Sequence, residues 1–488
     1  MDERHRIAVI TADVLAARMA GPAIRALNIA EVLAGRHDVQ LISTASCDYS
    51  HPTVPCRYVS WSRLRSAVRD AEVVIFQGFV SFHAPWLISG RQILVIDLYD
   101  PIHLEQLELL TERPVLQQRA TIDHTVRVFN EQAARGDFFL CASEQQRALW
   151  LGQLAAVGRI NIENYRRDPT LRQLIAVAPF GISADSPVRT RAAIKGVVPG
   201  IGVDDRVVIW AGGIYNWFDP VALIRAVDRV RVRHADLRLF FLGTKHPNPD
   251  VPGMEMAVAA RATSDELGLT GTHVFFNDGW VRYADRQNYL LDADVGVSTH
   301  FANIETAFSF RTRMLDYLWA GLPMISTEGD AFGDLITREG LGVAVGQGSV
   351  DDLVDAIVRT VYDPEYAAAC RARVRAVAGR YTWDNALAPL VEFCGHATRA
   401  PDSVSEDLGR IIRRPIPHAN AIGRRWSRMT DLVRQGGPRL VVARAASMTS
   451  RVFRERAQDA RTRRGAADPG AGAGESAVDP PAAEVPPG

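Results

Sequence analysis

At 488 residues, 47% of them hydrophobic and 23% charged, the chain is too long for one ordinary core and has the composition of a water-soluble globular protein. Five scattered cysteines without a C-x-x-C pair argue against a disulfide framework or zinc ribbon and for a reducing compartment, and no 18-residue apolar run offers a membrane span. The zero net charge conceals an uneven distribution: residues 1–407 carry −8, residues 408–464 carry +12 (15 arginines against Asp431, Glu455 and Asp459), and the last 24 residues carry −4.

The first element, RIAVIT (6–11), reads as a strand and not as part of a leader, because Asp13 and Arg18 interrupt the apolar stretch that follows. A loop and helix start, MAGPAIRALNIAEVLA (19–34), comes next. Apolar runs at VQLIST (39–44), VVIFQGF (73–79), ILVIDLYD (93–100) and FFLCAS (138–143) complete the strands of the first half. PFGISADSPVRTRAAIKGVVPGIGVDDR (179–206) is rich in Gly and Pro and reads as a linker. The second half repeats the rhythm with VVIWAGG (207–213), LRLFFLGT (237–244), HVFFNDGW (273–280), VGVSTHF (295–301) and MISTEGD (324–330). Continuous apolar runs alternating with helix-period segments predict parallel βαβ units whose strands are buried on both faces.

The fold class is therefore α/β, with two Rossmann-like, doubly wound parallel-sheet domains facing a cleft. The expected boundaries are a first domain at 1–180, a linker at 181–206 and a second domain at 207–380. A helix at 381–400 packs back toward the cleft or the first domain, a basic, partly helical extension spans 401–464, and a low-complexity tail, read as disordered, covers 465–488. In such folds ligands bind at strand C-termini, so the residues there must carry the chemistry.

The most informative stretch is ETAFSFRTRMLDYLWAGLP (305–323), which follows a strand. Helical spacing is expected from about Ser309 to Ala320, with Phe310, Met314, Leu315, Leu318 and Trp319 inward and a stop at Gly321-Leu322-Pro323. A strand–loop–helix unit presents free N–H groups and a positive dipole end to an anion, and Arg311 and Arg313 add forked donors suited to a diphosphate. Glu305 and Asp316 are acceptors suited to sugar hydroxyls. In the first half, DLYDPIHLE (97–105) is acidic at a strand end and offers Asp97, Asp100 and His103. Asp100 can equally be read as the N-cap of a helix starting at Pro101. Asp292-Ala293-Asp294 has the D-x-D form of a metal site but lies between a helix and a buried strand, so it reads as punctuation and no metal is expected.

These residues resemble those of glycosyltransferase family 4, retaining transferases of the GT-B fold. The family carries two glutamates eight positions apart, the second on a helix ending in a Gly-x-Pro turn. Aligned on that turn, Asp316 takes the place of the second, which binds ribose, while Glu305 stands three residues before the place of the first. The family's Arg and Lys after the first strand of the second domain are missing from GGIYNWFDP (212–220). The resemblance implies a donor site of Gly21, Gly212, Gly213, Asn216, Lys245, Trp280, Val281, Arg311, Thr312, Arg313 and Asp316. It further implies catalytic roles for Asp100, Glu305 and Arg311, and an acceptor site near Asp97 and His103. Trp280-Val281 would hold the base, and Lys245, Arg311 and Arg313 would supply the missing positive charge.

The expected activity is retaining, metal-independent transfer from a nucleotide-sugar, the co-substrate, to a glycan or lipid-linked acceptor, with no cofactor, in bacterial envelope polysaccharide or glycoconjugate synthesis. A nucleotide-sugar epimerase and an inactive binding scaffold are the alternatives. The absence of a G-x-G-x-x-G opening a helix after a strand, of a P-loop and of a G-x-S-x-G argues against dinucleotide oxidoreductases, P-loop enzymes and α/β-hydrolases. The expected location is cytoplasmic. Within 408–464, Trp426, Met429, Val433 and then Val441, Ala445, Met448, Val452 recur at helical spacing among arginines, the pattern of an interfacial helix on an anionic membrane face.

Overall fold

The computed structural model describes residues 4–111, 113–243, 254–279 and 281–404. The first domain contributes β1 (Arg6–Thr11), β2 (Asp38–Ser43), β3 (Cys56–Tyr58), β4 (Val73–Gln77), β5 (Ile93–Asp97), β6 (Phe138–Cys141) and β7 (Ile175–Val177). They form one parallel sheet in the order β3-β2-β1-β4-β5-β6-β7. The second domain contributes β8 (Arg206–Trp210), β9 (Leu237–Phe241), β10 (Val274–Phe276), β11 (Val295–Ser298), β12 (Met324–Thr327) and β13 (Gly342–Val345), in the order β10-β9-β8-β11-β12-β13, again all parallel. Both sheets are doubly wound, as expected, and each reverses its winding beside its first strand, between β1 and β4 and between β8 and β11. The ten strands expected from continuous apolar runs are present. The three that sequence reading missed, β3, β7 and β13, all lie at sheet edges and are only three or four residues long.

The helix expected from about Ser309 to Ala320 is present but starts at Thr312, and the loop expected before it holds a short helix of its own. Helix Ile304–Phe308 is capped by Asn303, whose side chain accepts from Thr306 N at 2.8 Å, and it ends at an extended Ser309. Helix Thr312–Ala320 then runs to Gly321, which adopts the left-handed conformation (φ 68°) that stops a helix cheaply only in glycine. Met314, Leu315 and Leu318 are buried as expected, whereas Phe310 and Trp319 are only partly covered. Tyr317 fixes this helix to the sheet: its hydroxyl donates to Val297 O at 2.8 Å and accepts from Ala211 N at 2.9 Å. Its ring lies so close to Gly296 of β11 that a Cβ there would come within 2.4 Å of it.

The D-x-D aspartates hold backbone. Asp292 accepts from Ala193 N and Ile194 N at 2.7 and 2.8 Å, and Asp294 pairs with Lys195 at 2.7 Å and accepts from Val207 N. The linker is thus tied to the second domain. The chain crosses between domains twice at one place, where Ile182 pairs with Thr382 and Gly181 lies against Trp383, a Cβ at Gly181 coming within 2.5 Å of the indole. Residues 383–404 return to the first domain, with Phe393 stacked on Phe138 at 4.3 Å and Asp402 paired with Arg159 at 2.6 Å.

Candidate functional site

At the β1/β4 reversal the C-terminal ends of β1, β4 and β5 open onto a cavity of about 300 Å³, whose polar wall is formed by Thr11, Asp13, Gln77, His83, Asp97 and Asp100. This is where an open α/β sheet binds ligands. Gly21 is the first residue of helix Gly21–Ala34, and the next residue, Pro22, lines the cavity. Nothing within 4 Å of Gly21 would obstruct a side chain, so no close packing demands glycine there.

Two of the acceptor-site expectations need correction. Asp97 reaches the cavity wall, but both its oxygens are held by Arg25, at 2.6 Å from Nε and 3.0 Å from Nη2. Arg25 is fully buried, its remaining bonds go to Pro179 O and Ala178 O, and Tyr99 lies 4.8 Å beneath it. His103 does not line the cavity. Its ring meets Phe129 and Trp150 edge-on inside the first domain, where burial lowers its pKa. Nor does Asp100 cap a helix with its side chain: helix Ile102–Leu109 begins after Pro101, and only the Asp100 carbonyl bonds to Ile102 N, at 2.9 Å.

Instead, the Asp100 carboxyl stands near enough to that of Glu105, one turn into the helix, for each to shift the other's titration. Burial raises both: Asp100 goes to about 6, with repulsion from Glu305 and Asp97 adding to the rise and Glu105 opposing it, and Glu105 goes well above the usual carboxylate range, with repulsion from Asp100 and Glu305 adding to it. Glu105 was not singled out from the sequence, although it ends the same acidic stretch.

Helix Ile304–Phe308 of the second domain packs against helices Ile102–Leu109 and Glu144–Ala156 of the first, and Gln146 donates to Phe308 O at 2.8 Å. Glu305 thereby faces the Asp100–Glu105 pair, whose pKa values it raises. Glu305 is 1% exposed and accepts two bonds from Arg311, at 2.9 and 2.7 Å. Arg311, 6% exposed, also donates to Thr306 Oγ1 and lies 4.8 Å over Phe218, while its buried Nε has no hydrogen-bond partner.

Arg313, 7% exposed, lies 4.6 Å over Trp210 and 4.0 Å over Phe218, and donates to Gly213 O at 2.7 Å. Desolvation lowers its pKa to about 10, and its buried Nη1 has no partner. Gly212, at φ 122°, turns the chain beside this guanidinium; a Cβ there would be 3.8 Å from Arg313 Cζ. Thr312 opens helix Thr312–Ala320, whose start has no side-chain cap.

Other residues expected at the donor site have structural partners. Asn216 accepts from Met256 N at 3.4 Å, Val281 packs on the core, and Asp316 pairs with Arg286 at 2.9 Å. Lys245 and Trp280 lie outside the described residues, as do the basic extension from 405 and the low-complexity tail. Sequence reading missed Arg25, Glu105 and Phe218. Arg25 carried a signal, since it shares a helix face with Ile29 one turn on. Among the described residues no three His, Cys, Asp or Glu side chains are grouped to hold a metal ion.

The two parallel-sheet domains form the GT-B fold, and solved structures of that architecture superpose on most of the chain. Anabaena HepE in complex with UDP-glucose aligns at TM-score 0.60 and 13% identity, over 80% of this chain and 99% of that one. Sucrose-phosphate synthase from Thermosynechococcus elongatus gives 0.55 and 15% over 80% and 98%, and WaaG, a glycosyltransferase involved in lipopolysaccharide biosynthesis, 0.56 and 14% over 80% and 100%. Residues 205–363 match the family described as "Glycosyl transferases group 1". A group 1 glycosyltransferase domain in a GT-B frame makes the protein a glycosyltransferase. No curated protein matches the chain in sequence.

Proposed function

We propose that the protein is a retaining transferase of family 4 type, moving a sugar from a nucleoside-diphosphate sugar, UDP-glucose being the first probe, to an acceptor hydroxyl held in the first-domain cavity. The observation that carries this reading is the pair of guanidinium groups, Arg311 and Arg313, stacked on Phe218 at the uncapped start of helix Thr312–Ala320. Both arginines fall within the matched segment. Each has a buried N–H without a protein partner, and the Gly212-Gly213 turn brings backbone alongside. Such donors stabilise charge that grows on a departing diphosphate, which is why no divalent ion is needed in this reading.

In this scheme Arg311, Arg313 and Lys245 neutralise the diphosphate, Asp316 takes the ribose and Trp280-Val281 the base. Asp100 accepts hydrogen bonds from sugar hydroxyls, Glu305, with both oxygens on Arg311, holds that guanidinium in place, and the departing diphosphate takes the acceptor's proton. Calorimetric titration with UDP-, GDP- and dTDP-sugars, with and without EDTA, tests it. Binding and turnover of one donor, unchanged by EDTA, are expected; abolition by EDTA with rescue by Mg²⁺ would overturn the metal-free step.

The acceptor is proposed to be a glycan or lipid-linked precursor of a bacterial envelope polysaccharide, met at the cytoplasmic membrane face by the basic segment 408–464. Among the described residues no helix is long and apolar enough to cross a membrane. Basic residues near an anionic leaflet contribute about 1 kcal/mol each, so a few would give salt-sensitive attachment. On sedimentation with anionic vesicles the full chain should pellet and a chain ending at Asp407 should not; equal partitioning would remove the membrane from the proposal.

A further inference from the structure

The ring of Phe218 lies beneath both Arg311 and Arg313, 4.8 and 4.0 Å from their guanidinium carbons. It is 2% exposed and meets Trp210 edge-on at 5.3 Å, and its backbone pairs with His300. One residue on, Asp219 N donates to Thr299 O at 3.0 Å, and Asp219 O accepts from the Thr299 hydroxyl. The ring is thus fixed in place from both sides. Residues 211–219, which carry it, include no basic residue. They supply a surface on which arginines from another part of the chain rest.

Arg313 depends on that surface more than Arg311 does. Arg311 is gripped by both oxygens of Glu305. Arg313, 7% exposed, forms no ion pair among the described residues, because Glu305 and Asp316, the acids nearest along the chain, are held by Arg311 and Arg286. Its one hydrogen bond there goes to Gly213 O at 2.7 Å, an acceptor that Trp210 Nε1 also reaches at 3.3 Å. A buried cation without a counter-ion is costly, and an aromatic face offsets part of that cost. It does so without presenting an oxygen, so N–H groups stay open: Nη1 of Arg313 and Nε of Arg311 are buried with no partner. A carboxylate in the same place would hold the cation and fill the site of the anion at once.

We propose that Phe218 is a positioning residue of the donor site: its ring sets Arg313 beside Arg311 with N–H groups open, and the donor's diphosphate supplies the countercharge that Arg313 lacks. That the anion belongs to a nucleotide-sugar rests on the glycosyl-transfer reading above; the ring-held anion site does not. Both guanidinium groups face charge that grows as the diphosphate departs, so a displaced Arg313 lowers kcat as well as donor affinity.

Two substitutions separate the aromatic face from the space it fills. Phe218→Leu keeps an apolar side chain and removes the face. Phe218→trifluorophenylalanine keeps the ring at nearly its own size and draws electrons off its face, and it serves even if the leucine variant fails to fold. Calorimetric titration of the whole protein, well below its unfolding temperature, uses inorganic pyrophosphate and UDP as probes. The wild type should bind both. Phe218→Leu should bind each roughly tenfold more weakly, the loss of a desolvated cation–π contact, and the fluorinated chain should weaken in the same direction. In turnover of a nucleotide-sugar both variants should raise the donor KM and lower kcat. Affinity unchanged in the fluorinated chain, or no binding of pyrophosphate to the wild type, would overturn the proposal. Pyrophosphate binding that weakens with the ring, in a protein that turns over no nucleotide-sugar, would sink the transfer reading and leave the anion site standing. Equal KM and kcat in wild type and the fluorinated chain would leave the transfer reading and remove Phe218 from it.

Discussion

Arg25–Asp97 in the first domain and Arg311–Glu305 in the second are both buried arginine–carboxylate pairs, the first gripped side-on through Nε and Nη2 and the second end-on through Nη1 and Nη2. Each is two-pronged, and each arginine lies over an aromatic ring, Tyr99 or Phe218. They differ in what the remaining N–H groups meet. Arg25 gives bonds to two further carbonyls, which tie helix Gly21–Ala34 to the chain leaving β7. Arg311 has one further weak bond to Thr306 and a buried Nε with no partner, and it stands where the two domains meet. A saturated guanidinium is a structural tie. One with an unmet donor is available to an anion, because burial without a partner is costly and a ligand removes that cost.

The sharpest break between the two is in stability. Arg25→Ala leaves Asp97 charged and unpaired in the interior and should destabilise the chain by roughly 3–5 kcal/mol. Denaturant unfolding measures this, and a loss much below that range would mean the two pairs do not differ as described. For the second pair a single Arg311→Ala would likewise strand Glu305, so stability and binding would fall together. The double variant Arg311→Met with Glu305→Gln separates them, since replacing both partners of a buried pair is often close to neutral for stability. It should unfold within about 1–2 kcal/mol of wild type yet bind UDP on the order of 10–100-fold more weakly, the equivalent of a charge-assisted bond. Unchanged UDP affinity would place the anion site elsewhere.

The central strands were legible because strands buried on both faces leave an unbroken apolar run, as in VVIFQ or VVIWA. The edge strand CRY carries no such mark, and IAV and GVAV are apolar but only three and four residues long. Glu305 and Arg311 were legible as chemistry but not as partners. With Glu305 read as loop and the helix read from about Ser309, no spacing rule paired the two. Here a short helix carries Glu305, Ser309 takes an extended backbone (ψ 157°), and Arg311 is folded back onto Glu305. The break has only SFR to announce it. The reading of His103 failed for the opposite reason: the strand-end position was right, but the helix that follows turns the imidazole toward Phe129 and Trp150. Glu105 was hidden because its meaning depends on Asp100, and a pair of acids without a cation looks, in one dimension, like any solvated surface.

The return of residues 383–404 to the first domain determines where the rest of the chain is attached. Asp402 is fully buried against Arg159, Asn161 and Asn164, and Asp137 takes bonds from Arg399, Ala400 N and Ser403. Asp137 stands just before β6, at the end of the sheet away from the cavity. Whatever follows Val404 is therefore moored to the half that holds the cavity, on its far side. A pull or an attachment transmitted through that segment bears on the first sheet alone. The stretch that carries Arg311 and Arg313 takes no part in that mooring, which runs through Arg159 and Asp137.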